Sequence, residues 1–519
     1  MQPTRRRRRL AKRSLAGCRT CRARHIKCDE APGICNNCTS TARKCDGYDI
    51  TRLPVKKLAI ALLPHANIGS ALGWVTTTEE RRFFSYFTHC SIPSLATFSN
   101  SPLWQNLALQ MGHVDRAVYH AASMLGAIHE DSNQNQMRLS GENLHRPRHG
   151  FALEQASRAF EHLNYRQASQ DPQYRRVLLL CCLLFILSDL LLGKYDSAFR
   201  HLRSGLLILR ETQQQRLLTQ HYELSLDSCL IRTFQRLDIE SSHFGTGGPF
   251  LFTSNELEEN WPEQSFYSPL KCLDDAYQSL TYLFNIGIPF LAKCWPLSGT
   301  EIKAEYGKLF YKQQRLLSSY YQLQRQAGIF HKRFFHQLSH KEQVGLEILQ
   351  LQCLGQILGL KTCLIDGLVP ADLLPEYETL LAACEELVSK FPARPTITLD
   401  YCCVASLYVV VSRCPQYSLR LQAINVLLSW PHSEGVINSN VVASLALETM
   451  KTELQTKDQR DMYMSLVDRE ADEELARFLF DTLRSAQDAT NWSLIRAAKI
   501  FQVDGKKSPS HIPEFSKIE

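Results

Sequence analysis

Six cysteines in the first 45 residues constrain this chain more than any other feature: Cys18, Cys21, Cys28, Cys35, Cys38 and Cys45. Their spacing is C-x2-C-x6-C-x6-C-x2-C-x6-C, one half-motif written twice. Basic residues fill the gaps, namely Arg19, Arg22, Arg24, Lys27, Arg43 and Lys44. Cysteine pairs at metal-ligand spacing, embedded in positive charge, point to a zinc-organised nucleic-acid-binding module.

Zinc at a structural site takes four ligands in a tetrahedron. Six thiolates serve either one zinc with two left over or two zincs by sharing. Two four-coordinate ions need eight metal–sulfur bonds, so two cysteines must bridge. The doubled half-motif favours the symmetric solution, with one ion in each half and one cysteine of each half shared. Disulfides fit less well. No secretory apolar stretch follows the N-terminus, and twelve further cysteines are scattered along the chain, as expected of a reduced compartment.

Charge is divided unevenly. Residues 1–57 carry sixteen Lys and Arg against four Asp and Glu, a net +12, whereas the whole chain is +7 and the remainder therefore −5. Such a basic head binds polyanions with a steep salt dependence. The run Arg5, Arg6, Arg7, Arg8 and Arg9, followed by Lys12 and Arg13, reads as a nuclear localisation signal or as an arm contacting phosphates.

The stretch Gly17-Cys18-Arg19-Thr20-Cys21-Arg22-Ala23-Arg24-His25-Ile26-Lys27-Cys28-Asp29, continued by Cys35-Asn36-Asn37-Cys38 and Cys45-Asp46-Gly47-Tyr48, resembles the fungal binuclear zinc-cluster transcription factors. The resemblance implies two zinc ions per chain, with Cys18 and Cys35 as the bridging ligands. It implies a short helix after the second cysteine of each half, the first presenting its C-terminal end to the major groove at a CGG-type triplet. By position, Arg24 and His25 match the family's base-contacting pair, and Arg22 and Lys27 its backbone contacts; Arg19 adds a further basic group. These side chains suit phosphates and guanine O6 and N7. His25 stands where the family more often has lysine, and a neutral imidazole offers one donor where an ammonium offers three. Pro32 lies three residues before Cys35, one earlier than is common in the family, and a turn is expected there.

From Thr78 onward helical periodicity dominates and strand alternation is nearly absent. Helices are predicted over 79–90, 102–111, 114–129, 150–164, 173–192, 195–211, 222–241, 270–293, 300–327, 340–365, 372–390, 399–413, 417–429, 436–455, 468–485 and 490–501. The expected architecture is a small zinc-organised N-terminal module plus a large all-α domain of antiparallel helical hairpins. The expected divisions are a basic arm at 1–17, the cluster at 18–48, a linker at 49–77, the helical domain at 78–505 and a tail at 506–519. The linker shows no sustained heptads, which weakens the case for a symmetric dimer. Val177–Leu192 is the most apolar stretch, but it is short and contains Asp189, so it reads as a buried core helix and no membrane partner is expected.

Phe83-Phe84, Phe87, Pro102-Leu103-Trp104, Arg236-Leu237-Asp238 and Arg420 through Trp430 also resemble that family's helical regulatory domain. Taken alone, their three- and four-residue spacing says core packing. No HExxH, G-x-S-x-G, P-loop or Rossmann glycine pattern is present, so no enzyme is expected. His336 and His340 have the spacing of a helical zinc pair, but Gln337 stands where a metalloprotease needs its glutamate. The apolar pairs Cys181–Cys182 and Cys402–Cys403 read as buried small hydrophobes.

The expected function is a nuclear, sequence-specific transcription factor for RNA polymerase II genes, with double-stranded DNA as partner. The resemblance adds transcriptional co-regulators, a small-molecule effector, and metabolic or secondary-metabolite gene clusters as targets. The competing expectation is a zinc-cluster scaffold for proteins or RNA. Single-strand binding calls for stacking aromatics, and none lies between Cys18 and Cys45.

Overall fold

The computed structural model describes residues 17–29, 31, 34–46, 74–98, 101–166, 173–219, 228–244, 249–251, 269–391 and 394–455. Contacts divide the chain into two units, Met1–Thr77 and Thr78–Glu519. The basic arm, Pro32, nearly all of the linker, the glycine-rich run at 245–248 and the helices expected at 468–485 and 490–501 lie outside the described residues.

In the first unit, α1 spans Arg19–Ala23 and α2 spans Asn36–Thr39. Among the described residues, the second unit is mostly helical. It begins with α3 (Thr78–Tyr86), which widens into a π-helical turn at Phe87–Ser91 and continues as α4 (Ile92–Leu95). A second π-helical turn, Leu103–Ala108, leads into α5 (Leu109–Val114). Then follow α6 (Arg116–Gln134), α7 (Pro147–Arg166), α8 (Tyr174–Leu191), α9 (Tyr195–Thr219) and α10 (Ser228–Ser241). The second half holds α11 (Leu273–Cys294), α12 (Gly299–Phe334), α13 (His340–Thr362), α14 (Leu374–Ser389), α15 (Val404–Arg413), α16 (Tyr417–Ser429) and α17 (Ser439–Gln455).

Local chemistry explains several boundaries. Ser298 with Glu301, and Ser339 with Glu342, form reciprocal capping boxes at the starts of α12 and α13. Asp115 caps α6 by accepting from the backbone N–H groups of Ala117 and Val118. The apolar stretch from Val177 is α8, a core helix with thirteen buried residues. Among the described residues, no helix is long and apolar enough to cross a membrane. His336 and His340 do not share a helix: His336 sits in a 3-10 turn and His340 opens α13, and both are exposed.

Successive helices pack against one another, and α6 is central, touching α3, α7 and α8. Gly126 makes that centre possible. A Cβ there would meet the Phe83 carbonyl oxygen of α3 at 2.2 Å. Gly205 does the same for α9, since a Cβ would strike the Phe234 ring of α10 at 2.2 Å.

The helix expected over 399–413 starts later, at Val404. Residues 397–398 instead form β1, which pairs parallel to β2 (Ser433–Glu434), itself antiparallel to β3 (Ile437–Asn438). Strands of two residues are too short to leave an alternating signal. Glu434 sets the start of α15: its carboxylate accepts from the backbone N–H groups of Cys402 (2.9 Å), Cys403 (2.8 Å) and Val404 (3.2 Å). His432 supports that buried carboxylate, its Nε2 lying 2.9 Å from Glu434 Oε1 and its Nδ1 2.7 Å from the Trp430 carbonyl. Both nitrogens donate in this arrangement, so the ring is an imidazolium. Burial alone lowers its affinity for the proton, but the Cys403 thiol and the Glu434 carboxylate prevail and push it up to about 10.

Two outcomes follow from this packing. Gly126→Ala forces α3 and α6 apart and lowers stability by roughly 1–3 kcal/mol or more; an unchanged unfolding midpoint in urea contradicts the close approach. The folded domain holds a proton on His432 that the unfolded chain, at its ordinary value of 6.5, has lost. That contribution is complete below the unfolded value and declines as pH rises toward about 10. Glu434→Gln leaves the imidazolium buried without its counter-charge, at a cost of about 3–5 kcal/mol. Denaturant titrations from neutral to alkaline pH read both effects, and a variant as stable as the parent contradicts the pairing.

Candidate metal centre and nucleic-acid interface

The doubled half-motif of the sequence is doubled in the fold. Cys18 precedes α1 and Cys35 precedes α2. Arg22 N donates to Cys18 O as Thr39 N donates to Cys35 O. Ile26 N donates to Cys21 O as Arg43 N donates to Cys38 O, and His25 N to Arg22 O as Ala42 N to Thr39 O. In each half the residue leaving the helix turns left-handed, His25 at φ +56 and Ala42 at φ +51. Histidine tolerates that region better than most L-residues. The reversal returns the chain to the third cysteine of its half.

All six cysteines are free, and five are buried, with Cys45 half-buried. Cys35 Sγ lies 3.6 Å from both Cys18 Sγ and Cys21 Sγ, and Cys38 Sγ lies 3.8 Å from both. A disulfide needs about 2.05 Å. A tetrahedron of sulfurs at about 2.3 Å from zinc has edges of about 3.8 Å. The sulfurs fall into two groups of four: Cys18, Cys21, Cys28 and Cys35, and Cys18, Cys35, Cys38 and Cys45. Within each group they lie within 4.8 Å of one another, and Cys18 and Cys35 belong to both. The donor set fits zinc. Burial pushes the Cys18, Cys21 and Cys35 thiols up, so thiolates gather here only with a cation to neutralise them.

Hydrogen bonds that spacing alone does not reveal tie the halves together. Asp29 follows Cys28 and accepts from Asn36 N at the start of α2, at 3.0 Å. Asp46 follows Cys45, accepts from Thr20 Oγ1 at 2.9 Å and donates its own N–H back to it at 2.9 Å. Asn37 Nδ2 donates to Lys27 O at 2.7 Å. The only sequence signal for these ties is the repeated Cys-Asp.

The basic residues named from sequence lie on the rim of this cluster. Arg19, His25 and Lys27 are exposed, and Arg22 and Arg24 are half-buried. Arg24 is the C-cap of α1, and its Nη1 donates to Thr41 Oγ1 of the other half at 3.3 Å. Arg24 and His25 therefore occupy the turn just past α1 rather than the helix itself. Arg5–Arg9, Lys12 and Arg13 fall outside the described residues.

A third set, Cys402, Cys403 and Glu434, also converges. There the carboxylate is already engaged by backbone N–H groups and His432, so it serves as the cap of α15.

Two family models match the chain. Residues 16–53 match the fungal Zn(2)-Cys(6) binuclear cluster domain, and residues 82–280 the fungal specific transcription factor domain. Among curated proteins, the aspercryptin biosynthesis cluster-specific transcription regulator atnN of Emericella nidulans is 30% identical over 227 residues, 39% of this chain and 35% of the relative. An uncharacterized transcriptional regulatory protein of Schizosaccharomyces pombe is 30% identical over 147 residues, 24% of this chain and 26% of its own. The transcriptional regulatory protein moc3 of the same organism is 40% identical over 60 residues, 12% of each chain. The chain thus spans about a third of the first relative's length and less of the others. No solved structure matches it. The cysteine cluster and the helical domain behind it in sequence are thus each similar to a domain of fungal transcription regulators.

Proposed function

We propose that this chain is a nuclear, sequence-specific regulator of RNA polymerase II genes that reads a CGG-type triplet in duplex DNA. The observation that carries the reading is the pair of four-sulfur groups sharing Cys18 and Cys35, ringed by basic side chains. Cys21 and Cys28 complete the ligand set of one zinc, and Cys38 and Cys45 that of the other. The metals supply no reaction; they lock the α1 turn in one geometry. Arg24 and His25 reach base edges from that turn, and Thr41 limits the freedom of Arg24. Arg19, Arg22 and Lys27 engage phosphates, which fix register without reading sequence. Arg5–Arg9, Lys12 and Arg13 direct nuclear entry. The helical domain receives transcriptional co-regulators. One relative is a regulator of a biosynthesis cluster, which favours a metabolic or secondary-metabolite gene cluster as the target here.

The full zinc-loaded chain, titrated with a CGG-containing duplex and with the same sequence single-stranded, tests the reading. Duplex preference is expected, with affinity falling as salt rises through counterion release. Preference for the single strand contradicts it and favours the RNA-binding alternative.

Cys18→Ser removes a ligand from both ions, so both zincs are lost together, as metal analysis of the purified variant measures; retention of two tightly held zincs contradicts sharing. Arg24→Ala costs about 1–3 kcal/mol on the matched triplet and less elsewhere. An equal loss on all duplexes makes Arg24 a phosphate contact instead.

A further inference from the structure

The longest described helix, α12, has two unlike faces. One packs against α11 and α13, burying Leu316, Tyr320 and Leu323. The other carries Lys303, Gly307, Phe310, Tyr321, Arg325 and Lys332, all exposed. Three- and four-residue steps, or sums of them, separate these positions, so they form one stripe along about 44 Å of helix.

Large apolar groups grouped on a surface are informative where single ones are not. Phe310 is 42% and Tyr321 43% exposed, and the exposed Tyr306 ring stacks on Phe310 with centres 5.5 Å apart. Gly307 points the same way. Glycine weakens a helix interior, yet a Cβ there would meet nothing within 4 Å. The domain gives no packing reason for it, whereas a partner laid along the stripe does.

Charge identifies that partner. The helix α12 carries seven Lys and Arg against two Glu, net +5. Two copies of such a helix repel each other, and an acidic, partly apolar segment fits it. Residues 461–483 of this chain, which lie outside the described part, carry seven Asp and Glu against two Arg, net −5. Asp468, Asp472, Leu475, Leu479 and Leu483 recur there at the same three- and four-residue steps. The helix that the sequence predicts over 468–485 therefore has one face that is acidic at its start and apolar beyond.

We propose that residues 461–483 dock antiparallel on the exposed stripe of α12. Asp468 and Asp472 then meet Lys332 and Arg325, Leu475 and Leu479 cover Tyr321, and Leu483 reaches toward Phe310. The twelve residues between Gln455 and Asp468 span up to about 45 Å, and a tethered ligand binds at an effective concentration that a free one does not reach. The proposal goes beyond DNA reading and does not rest on it, because both elements belong to the second unit.

The test treats the full zinc-loaded chain with a carbodiimide, which joins a lysine amine to a carboxylate in direct contact. Links are mapped by mass spectrometry on an equal mixture of isotope-labelled and unlabelled chains. A link from Lys332 to Asp468 within one chain is the expected result. Arg325→Glu, at an exposed position, sets a like charge against Asp472 and lowers the yield of that link by about tenfold. Adding Asp472→Arg restores it, which a damaged fold does not allow. No such link in the parent chain, a yield unmoved by Arg325→Glu, or no rescue by the reversed pair overturns the proposal. Links that join labelled to unlabelled chains overturn it too, and make a second copy the occupant of the stripe.

Discussion

Six thiols, five of them buried, have to be deprotonated in one small space, and a cation has to be present for that to happen. Everything in the N-terminal module depends on this requirement. Burial raises the thiols at Cys18, Cys21 and Cys35, and a divalent ion reverses the balance by coordinating the thiolates directly. Two helices of four and five residues cannot stand alone in water. The metal-bound cysteines at their starts, and the Asp29 and Asp46 ties between halves, supply what their length lacks. A turn held this way keeps Arg24 and His25 in a fixed position.

The helical domain relies on the same physics with different groups. Several of its buried carboxylates are answered by a neighbour: Glu80 by Arg158, Asp131 by Arg146 and His149, Glu434 by His432 and the start of α15. His129 is neutral instead, burial pushing it down to about 4, and its ring links Ser91 to Thr396 at 2.8 and 2.7 Å. These contacts join segments far apart in sequence, so the domain closes as one unit from Thr78 onward.

Local features of this protein were legible in its sequence, and non-local ones were not. The cysteine spacing pointed to a shared cluster because ligand counting is independent of the fold. The helix at 417–429 has the expected bounds because its apolar pattern is self-contained. The helix expected from 399 begins five residues late because its cap, Glu434, comes from a strand thirty residues downstream. The three strands went unseen because two residues carry no period. The turn to π-helix after Tyr86 keeps the apolar spacing that suggested one continuous helix. The left-handed turn at His25 was hidden too, since histidine at that position reads equally well as a base contact. Arg236 and Asp400 meet across 164 residues, and no motif announces such a pair.

X-ray absorption at the zinc edge of the full chain tests the shared cluster most directly. Zinc–sulfur bonds of about 2.3 Å around a shared edge of 3.6 Å place the two metals about 3 Å apart. Two zincs per chain, four sulfurs around each and metal–metal scattering near that distance are expected. One zinc per chain, or two zincs with no metal neighbour, contradicts the bridging role of Cys18 and Cys35.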